Sequence, residues 1–127
     1  PELTVGILAD RPLPVCQIRT RREFYDYQAK YVDEDTEYLF DIDLPDELCQ
    51  RVQALSLRIH NAVGCRDFSR VDWMVDRNTL EPYAIEINTV PGLTSHSLLP
   101  KAAAHAGISY DALCQTIVEL AMKRAVS

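Results

Sequence analysis

The sequence is short of several things, and each shortage excludes a class of function. Its four cysteines, Cys16, Cys49, Cys65 and Cys114, make no C-x-x-C or other close pair, so no zinc site is expected on them. Three sit among apolar neighbours and Cys65 follows a helix-ending glycine, so all four read as reduced packing residues of a cytoplasmic protein, not as disulfide partners. No apolar run approaches the ~18 residues that would span a bilayer, and the start carries no signal-peptide pattern, so a membrane partner is not expected. Positive charge is scarce: 13 Lys and Arg face 19 Asp and Glu, a formal net charge of −6. A phosphate backbone needs a basic surface, so nucleic acid is not expected as a partner either. A nucleotide stays compatible, because Mg²⁺ can mediate between acidic side chains and phosphates. There is no G-x-S-x-G, which disfavours a serine hydrolase even though His96 stands between Ser95 and Ser97. Neither an internal repeat nor a low-complexity segment is visible.

What is present suits one domain: 127 residues, 47% hydrophobic and 25% charged. The opening Pro-Glu-Leu-Thr-Val runs straight into strand-like sequence and reads as a cut through a longer chain. Leu3 to Leu8 is a strand, followed by an Asp- and Pro-rich turn and a second strand from Val15 to Ile18, together a hairpin. Gly6 inside the first strand marks a close backbone approach or a bulge. Residues Phe24 to Tyr38 interleave aromatics and charges without a period and contain no Gly or Pro. They read as a structured surface loop, with a short exposed helix as the alternative. Tyr38 to Ile42 is a further strand.

Leu44 to Val63 is the clearest helix. Asp43 or Leu44 stands at its N-cap, Asp46 and Glu47 complement its dipole, and Gly64 follows its end. Leu48, Val52, Leu55, Ile59 and Val63 form its apolar stripe. His60 reads as a solvent-facing or packing residue. Arg66 to Val75 and Tyr83 to Asn88 are strands joined by a short polar connection, so they should pair antiparallel. Leu98 to Ala106 is a short helix closed by Gly107. Ser109 caps a last helix with Leu113, Ile117 and Leu120 buried, and Met122 to Ser127 frays. The fold class is α+β, an antiparallel sheet with flanking helices.

The chemistry gathers on two strands. Side chains two apart on a strand share a face, so Arg70 and Asp72 point one way, and so do Glu86 and Asn88. Ile85 and Ile87 then face a core. Asp72, Glu86 and Asn88 make a hard-oxygen set that suits Mg²⁺, which takes few protein ligands and shares substrate phosphates. The plain alternative is a solvated or salt-bridged polar face. Arg70 either pairs with one of these acids or stabilises charge developing on a reacting oxygen. Lys30 could reach over a phosphate. Ser95 and Ser97 precede a helix, where hydroxyls and free N–H groups bind carboxylates or phosphates, although bare caps need no ligand.

Three stretches in order, F-Y-D-Y-Q-A-K-Y from Phe24, G-C-R-D-F-S-R-V-D from Gly64 and E-I-N-T-V-P-G-L-T-S-H-S-L from Glu86, resemble the C-terminal signature of D-alanine–D-alanine ligases of the ATP-grasp superfamily. The opening E-L-T-V-G-I-L resembles the strand that follows that family's nucleotide-binding segment. The resemblance covers residues 2 to about 121 and implies the C-terminal part of an ATP-grasp fold. It implies ATP and Mg²⁺ (or Mn²⁺) as cofactors, D-alanine and ATP as small-molecule substrates, and a dipeptide product used in peptidoglycan. A homodimer of the full-length enzyme is compatible with it.

Residue by residue, Asp72, Glu86 and Asn88 match the metal ligands, with Glu86 bridging. Arg70 matches the arginine that stabilises the acyl phosphate and tetrahedral intermediate. Gly92 matches the glycine whose N–H faces the reacting carbonyl oxygen. Ser97 and the backbone of Leu98 match the groups that hold the second D-alanine's carboxylate. Lys30 and Tyr31 match the loop that closes over the γ-phosphate and substrate, with Tyr31 favouring D-alanine over D-lactate as second substrate. Gln28 departs from the usual acid, and the turn from Asp76 to Pro82 is one residue longer than the pattern. The family's N-terminal substrate domain and nucleotide-gripping lobe are not among these 127 residues. Residues 1–127 are therefore expected to be the C-terminal portion of the ATP-grasp domain, with little or no ligase activity alone. The alternatives are another ATP-grasp carboxylate–amine ligase, or an isolated scaffold or metal-binding remnant.

Overall fold

Among the described residues, six strands form one antiparallel sheet with helices on both faces. The computed structural model describes residues 1–20 and 36–126. Lys30, Tyr31 and most of the aromatic loop therefore lie outside the described residues. The elements are β1 (Glu2–Leu8), β2 (Arg11–Pro12), β3 (Cys16–Thr20), β4 (Thr36–Leu39), α1 (Asp46–Val63), β5 (Phe68–Val75), β6 (Pro82–Asn88), α2 (Leu98–His105) and α3 (Tyr110–Val126). The strand order is β4-β3-β1-β5-β6, with the short β2 paired to the end of β1.

β1 is central because its side chains are wanted on both faces. Leu3, Val5 and Ile7 are fully buried against α1, together with Val15, Val71, Trp73 and Val75. Leu8 points the other way, into a second cluster with Leu13, Leu99, Ala102, Ala103 and Leu113 under α2 and α3. A strand covered on both faces reads as a near-continuous apolar run. Gly6 faces the second cluster. A Cβ there would lie 2.6 Å from Leu99 Cδ1, so the glycine admits α2 onto the sheet. Of the two expectations for Gly6, close approach is the one realised. The turn after β1 uses Ala9 and Asp10 at positive φ, as a two-residue hairpin loop requires.

Several boundaries and one whole stripe differ from the sequence reading. α1 starts at Asp46 with Pro45, not Asp43 or Leu44, at its N-cap, and no side chain caps it. Gly64 closes it in the left-handed conformation, as expected. The buried stripe of α1 is Leu48, Val52, Ser56 and His60, while Val63 is exposed and Leu55 and Ile59 only flank the core. The stripe holds two polar residues because both find partners. Ser56 Oγ donates to the Val52 carbonyl and accepts from Trp73 Nε1, at 2.7 and 2.8 Å. His60 bonds Ser69 Oγ through Nδ1 at 2.7 Å and Asp10 through Nε2 at 3.1 Å. A periodicity count cannot see such partners. The strand expected at Tyr38 to Ile42 ends at Leu39, and α3 continues to Val126 where fraying was expected from Met122.

β5 and β6 pair antiparallel, as expected, but not regularly. Asp72 sits opposite Glu86 and Trp73 opposite Ala84, so Ile85 is the extra residue of a β-bulge. The bulge turns Ile85 out to 59% exposure, which corrects the expectation that it faces a core. Ile87, beyond the bulge, does pack against the α1 side.

Candidate active site

The register of three strands assembles the polar face. β5 runs between β1 and β6, so Asp72 lies beside Thr4 on one side and Glu86 on the other, while Arg70 lies between Gly6 and Asn88. Arg70 Nε and Nη2 donate to the two Asp72 oxygens at 3.0 and 3.1 Å, with the side chains only 20% and 14% exposed. Thr4 Oγ1 donates to Asp72 Oδ1 at 2.7 Å. Asn88 Nδ2 donates to Asp72 Oδ2 at 3.2 Å and to Glu86 Oε1 at 3.4 Å. Arg70, Asp72, Glu86 and Asn88 are thus brought together, and Arg70 takes the pairing that the sequence left open as its plain role.

The Asp72 carboxyl is pulled two ways. Burial raises it, and the hydrogen bonds from Arg70 and Thr4, with the charge of Arg70, outweigh that and hold it below its ordinary value of 3.8. An ionised Asp72 beside Glu86 and the Asn88 amide oxygen presents hard oxygen donors to a divalent cation, and the set fits Mg²⁺ better than a soft metal. Among the described residues no three His, Cys, Asp or Glu side chains gather at a metal-holding distance, so the amide is an essential member of this set.

The turn after β6 forms the second part. Pro91 is buried, Gly92 is exposed, and Leu93 packs against the cluster under α2 and α3. A Cβ on Gly92 would lie 2.8 Å from Ser97 Oγ, so any side chain there would push that hydroxyl aside. Ser97 is the N-cap of α2, yet its hydroxyl does not cap the helix. It accepts from the Thr94 N–H at 3.1 Å and bonds Thr94 Oγ1 at 2.7 Å. Leu98 is the first residue of the helix, so its N–H is among those without an intrahelical partner. Ser95 and His96 are exposed on the same turn, and the Ser97 hydroxyl bonds Thr94 and neither of them.

Beside Thr4 and Asp72, Glu2, Ile18 and Met74 line an open pocket of about 280 Å³ on the same side of the sheet, with Arg19 and Arg77 among its other walls. A larger pocket of about 380 Å³ lies between α1 and residues 40–42, on the opposite side and far from these polar groups. The chemistry favours the smaller one. The sequence reading missed Thr4 and this pocket, because both depend on which strands pair with β1. The cysteines stay outside the chemistry. All four are free thiols, and burial pushes Cys16 up to about 11 and raises Cys49 and Cys65.

The chain is similar to known proteins in sequence and in fold. The family profile described as "D-ala D-ala ligase C-terminus" matches residues 1–119. A D-alanine–D-alanine ligase of Herminiimonas arsenicoxydans is 46% identical over 124 residues, which are 94% of this chain and 37% of the relative. One from Actinobacillus succinogenes is 46% identical over 121 residues, 95% of this chain and 39% of the relative. Among solved structures, the D-alanine–D-alanine ligase of Bacillus anthracis complexed with ATP superposes with a TM-score of 0.80 at 38% identity, over 96% of this chain and 38% of that one. The chain thus spans less than two fifths of these relatives.

Proposed function

The chain belongs to the D-alanine–D-alanine ligase family, matching its C-terminal part, and from that membership we propose that it supplies one wall of the active site of an ATP-dependent D-alanine–D-alanine ligase. Residues 1–127 are on this reading the C-terminal portion of an ATP-grasp domain. The observation that carries the proposal is the register that sets Arg70 opposite Asn88 and Asp72 opposite Glu86. The reaction needs ATP phosphates held, a carboxylate activated and an amine delivered, and this face offers groups for each.

Asp72, Glu86 and Asn88 would hold Mg²⁺, or Mn²⁺, which neutralises phosphate charge when bound. The pocket in which Ile18 and Met74 stand among Glu2, Arg19 and Arg77 is the candidate seat for the base of the nucleotide. The carboxylate oxygen of one D-alanine attacks the γ-phosphorus and ADP departs, leaving an acyl phosphate. The amine of a second D-alanine attacks that carbonyl carbon, loses a proton, and expels phosphate. Arg70 stabilises the anionic oxygens in both steps through the guanidinium donors that Asp72 leaves free. The Gly92 N–H donates to the carbonyl oxygen as it becomes an oxyanion. Ser97 Oγ and the Leu98 N–H hold the second carboxylate at the start of α2. Lys30 and Tyr31 would close over the γ-phosphate and the substrate, Tyr31 favouring D-alanine as acceptor. Such catalysis is mainly positioning and charge stabilisation. The product is a precursor for peptidoglycan, which implies a cytoplasmic site of action. No helix among the described residues is long and apolar enough to cross a membrane.

Mn²⁺ titration of the chain, followed by electron paramagnetic resonance, tests the metal face. Binding is expected in the unmodified chain and its loss in Asp72→Ala and Glu86→Ala. A chain that binds no Mn²⁺ would instead favour a scaffold remnant. Dipeptide synthesis by the purified 127 residues is expected to be undetectable, because the chain matches less than two fifths of the ligases it resembles.

A further inference from the structure

We propose that Tyr110, the first residue of α3, is a positioning residue that sets the hydrogen-bonding state of Ser97 through the Leu93–Thr94 peptide. The inference rests on reading Ser97 as a carboxylate-binding group. The Tyr110 hydroxyl donates to the Leu93 carbonyl. The N–H of that same peptide unit, on Thr94, donates to Ser97 Oγ at 3.1 Å. A peptide unit is planar, so a partner at its carbonyl and a partner at its N–H together fix its rotation. The first partner comes from α3, which supplies nothing else to the site. The second is the side chain proposed to meet the substrate.

Little else holds this turn. Thr89, Val90 and Gly92 are exposed, Val90 to 82%. Among the described residues, the tie from Tyr110 is the hydrogen bond that joins residues 89–93 to another element of the fold. Packing of Pro91 and Leu93 fixes where the turn sits, Ser97 N–H donates to the Thr94 carbonyl at 3.0 Å on one side of the peptide, and Tyr110 holds its Leu93 carbonyl on the other. The rotation matters because of hydrogen-bond capacity. A serine hydroxyl has one proton to donate and lone pairs that accept. With the Thr94 N–H filling an acceptor position, the Ser97 proton is left for an outside acceptor such as a carboxylate once Thr94 Oγ1 gives way. If the peptide turns away, Ser97 loses that constraint. Tyr110 is 42% exposed and belongs to neither buried cluster, so removing its oxygen leaves the fold its packing.

Amide hydrogen exchange of this chain by NMR tests the proposal. In Tyr110→Phe the Thr94 amide should exchange at least ten-fold faster, while amides of β5 and β6 exchange as before. Ser97→Ala should release the same amide. Unchanged Thr94 exchange in Tyr110→Phe would overturn the proposal. Should that variant fail to fold, the unmodified chain answers directly. A slowly exchanging Tyr110 hydroxyl proton with cross-peaks to the Thr94 amide supports the clamp, and a hydroxyl in rapid exchange with water refutes it. A D-alanine titration separates the two readings. Shifts at Thr94 and Ser97 that vanish in Ser97→Ala are expected. Their absence from the unmodified chain would remove Ser97 as the carboxylate site while leaving the exchange result to stand or fall by itself.

Discussion

β5 and β6 share one short pattern, polar-apolar-polar, as Arg70-Val71-Asp72 and Glu86-Ile87-Asn88, and the fold treats the two strands differently. β5 lies between β1 and β6, so Val71, Trp73 and Val75 are buried and even its polar pair, Arg70 and Asp72, is largely covered. β6 is an edge. Its Tyr83 and Ile85 are more than half exposed, and a bulge at Ile85 breaks the match with β5 just before Glu86. Alternation decides which side chains share a face, whereas a neighbour on each side decides whether the face is dry. The site uses both. Asp72 and Arg70 come from the dry strand, pre-bonded and fixed, while Glu86 comes from the wet one, where a ligand can reach it.

The sharpest way to break the comparison is to truncate one apolar residue on each strand. Trp73→Ala removes a buried ring and the donor to Ser56, and should cost about 3–5 kcal/mol by chemical denaturation. Ile85→Ala should stay within about 0.5 kcal/mol. Equal losses would mean that the bulge is not what exposes Ile85. The next effect concerns the partner that β5 shares with α1. His60→Ala leaves the buried Ser69 hydroxyl without its partner and opens space beside it, which should cost about 2–3 kcal/mol in the same measurement.

The smallest effect is a pH dependence. The Asp72 carboxyl is lower in the folded chain than in the unfolded one, so its contribution to stability is complete above the unfolded value and disappears as pH falls through the folded one. Stability measured from pH 5 downward should therefore fall less steeply in Asp72→Asn than in the unmodified chain. A matching slope in both would show that the bonds from Arg70 and Thr4 do not favour the charged form.

Much of this was legible in the sequence because it is local. Apolar spacing placed β1, α1, β5, β6, α2 and α3 within a few residues, Gly64 marked the end of α1, and Ser109 marked the start of α3, where its hydroxyl accepts from the Ala112 N–H at 3.1 Å. A period of two also put Arg70 with Asp72 and Glu86 with Asn88 before any fold was known. The illegible parts are those where a distant partner changes a residue's worth. Ser56 and His60 look like surface residues of a helix until Trp73, Ser69 and Asp10 meet them. Thr4 looks like an ordinary strand threonine until β1 pairs with β5 and sets its hydroxyl 2.7 Å from Asp72.

The sequence alone therefore determined which side chains share a strand face, where glycine must end a helix, and which family's signature the chain carries, since each is set by neighbours along the chain. Only the tertiary structure decided that Ile85 leaves the core, that Thr4 holds Asp72, and that Tyr110 reaches the turn at Leu93. Those depend on strand order, on a bulge and on α3 packing back against the sheet. They are contacts between residues far apart in sequence, whose free energy no local pattern records.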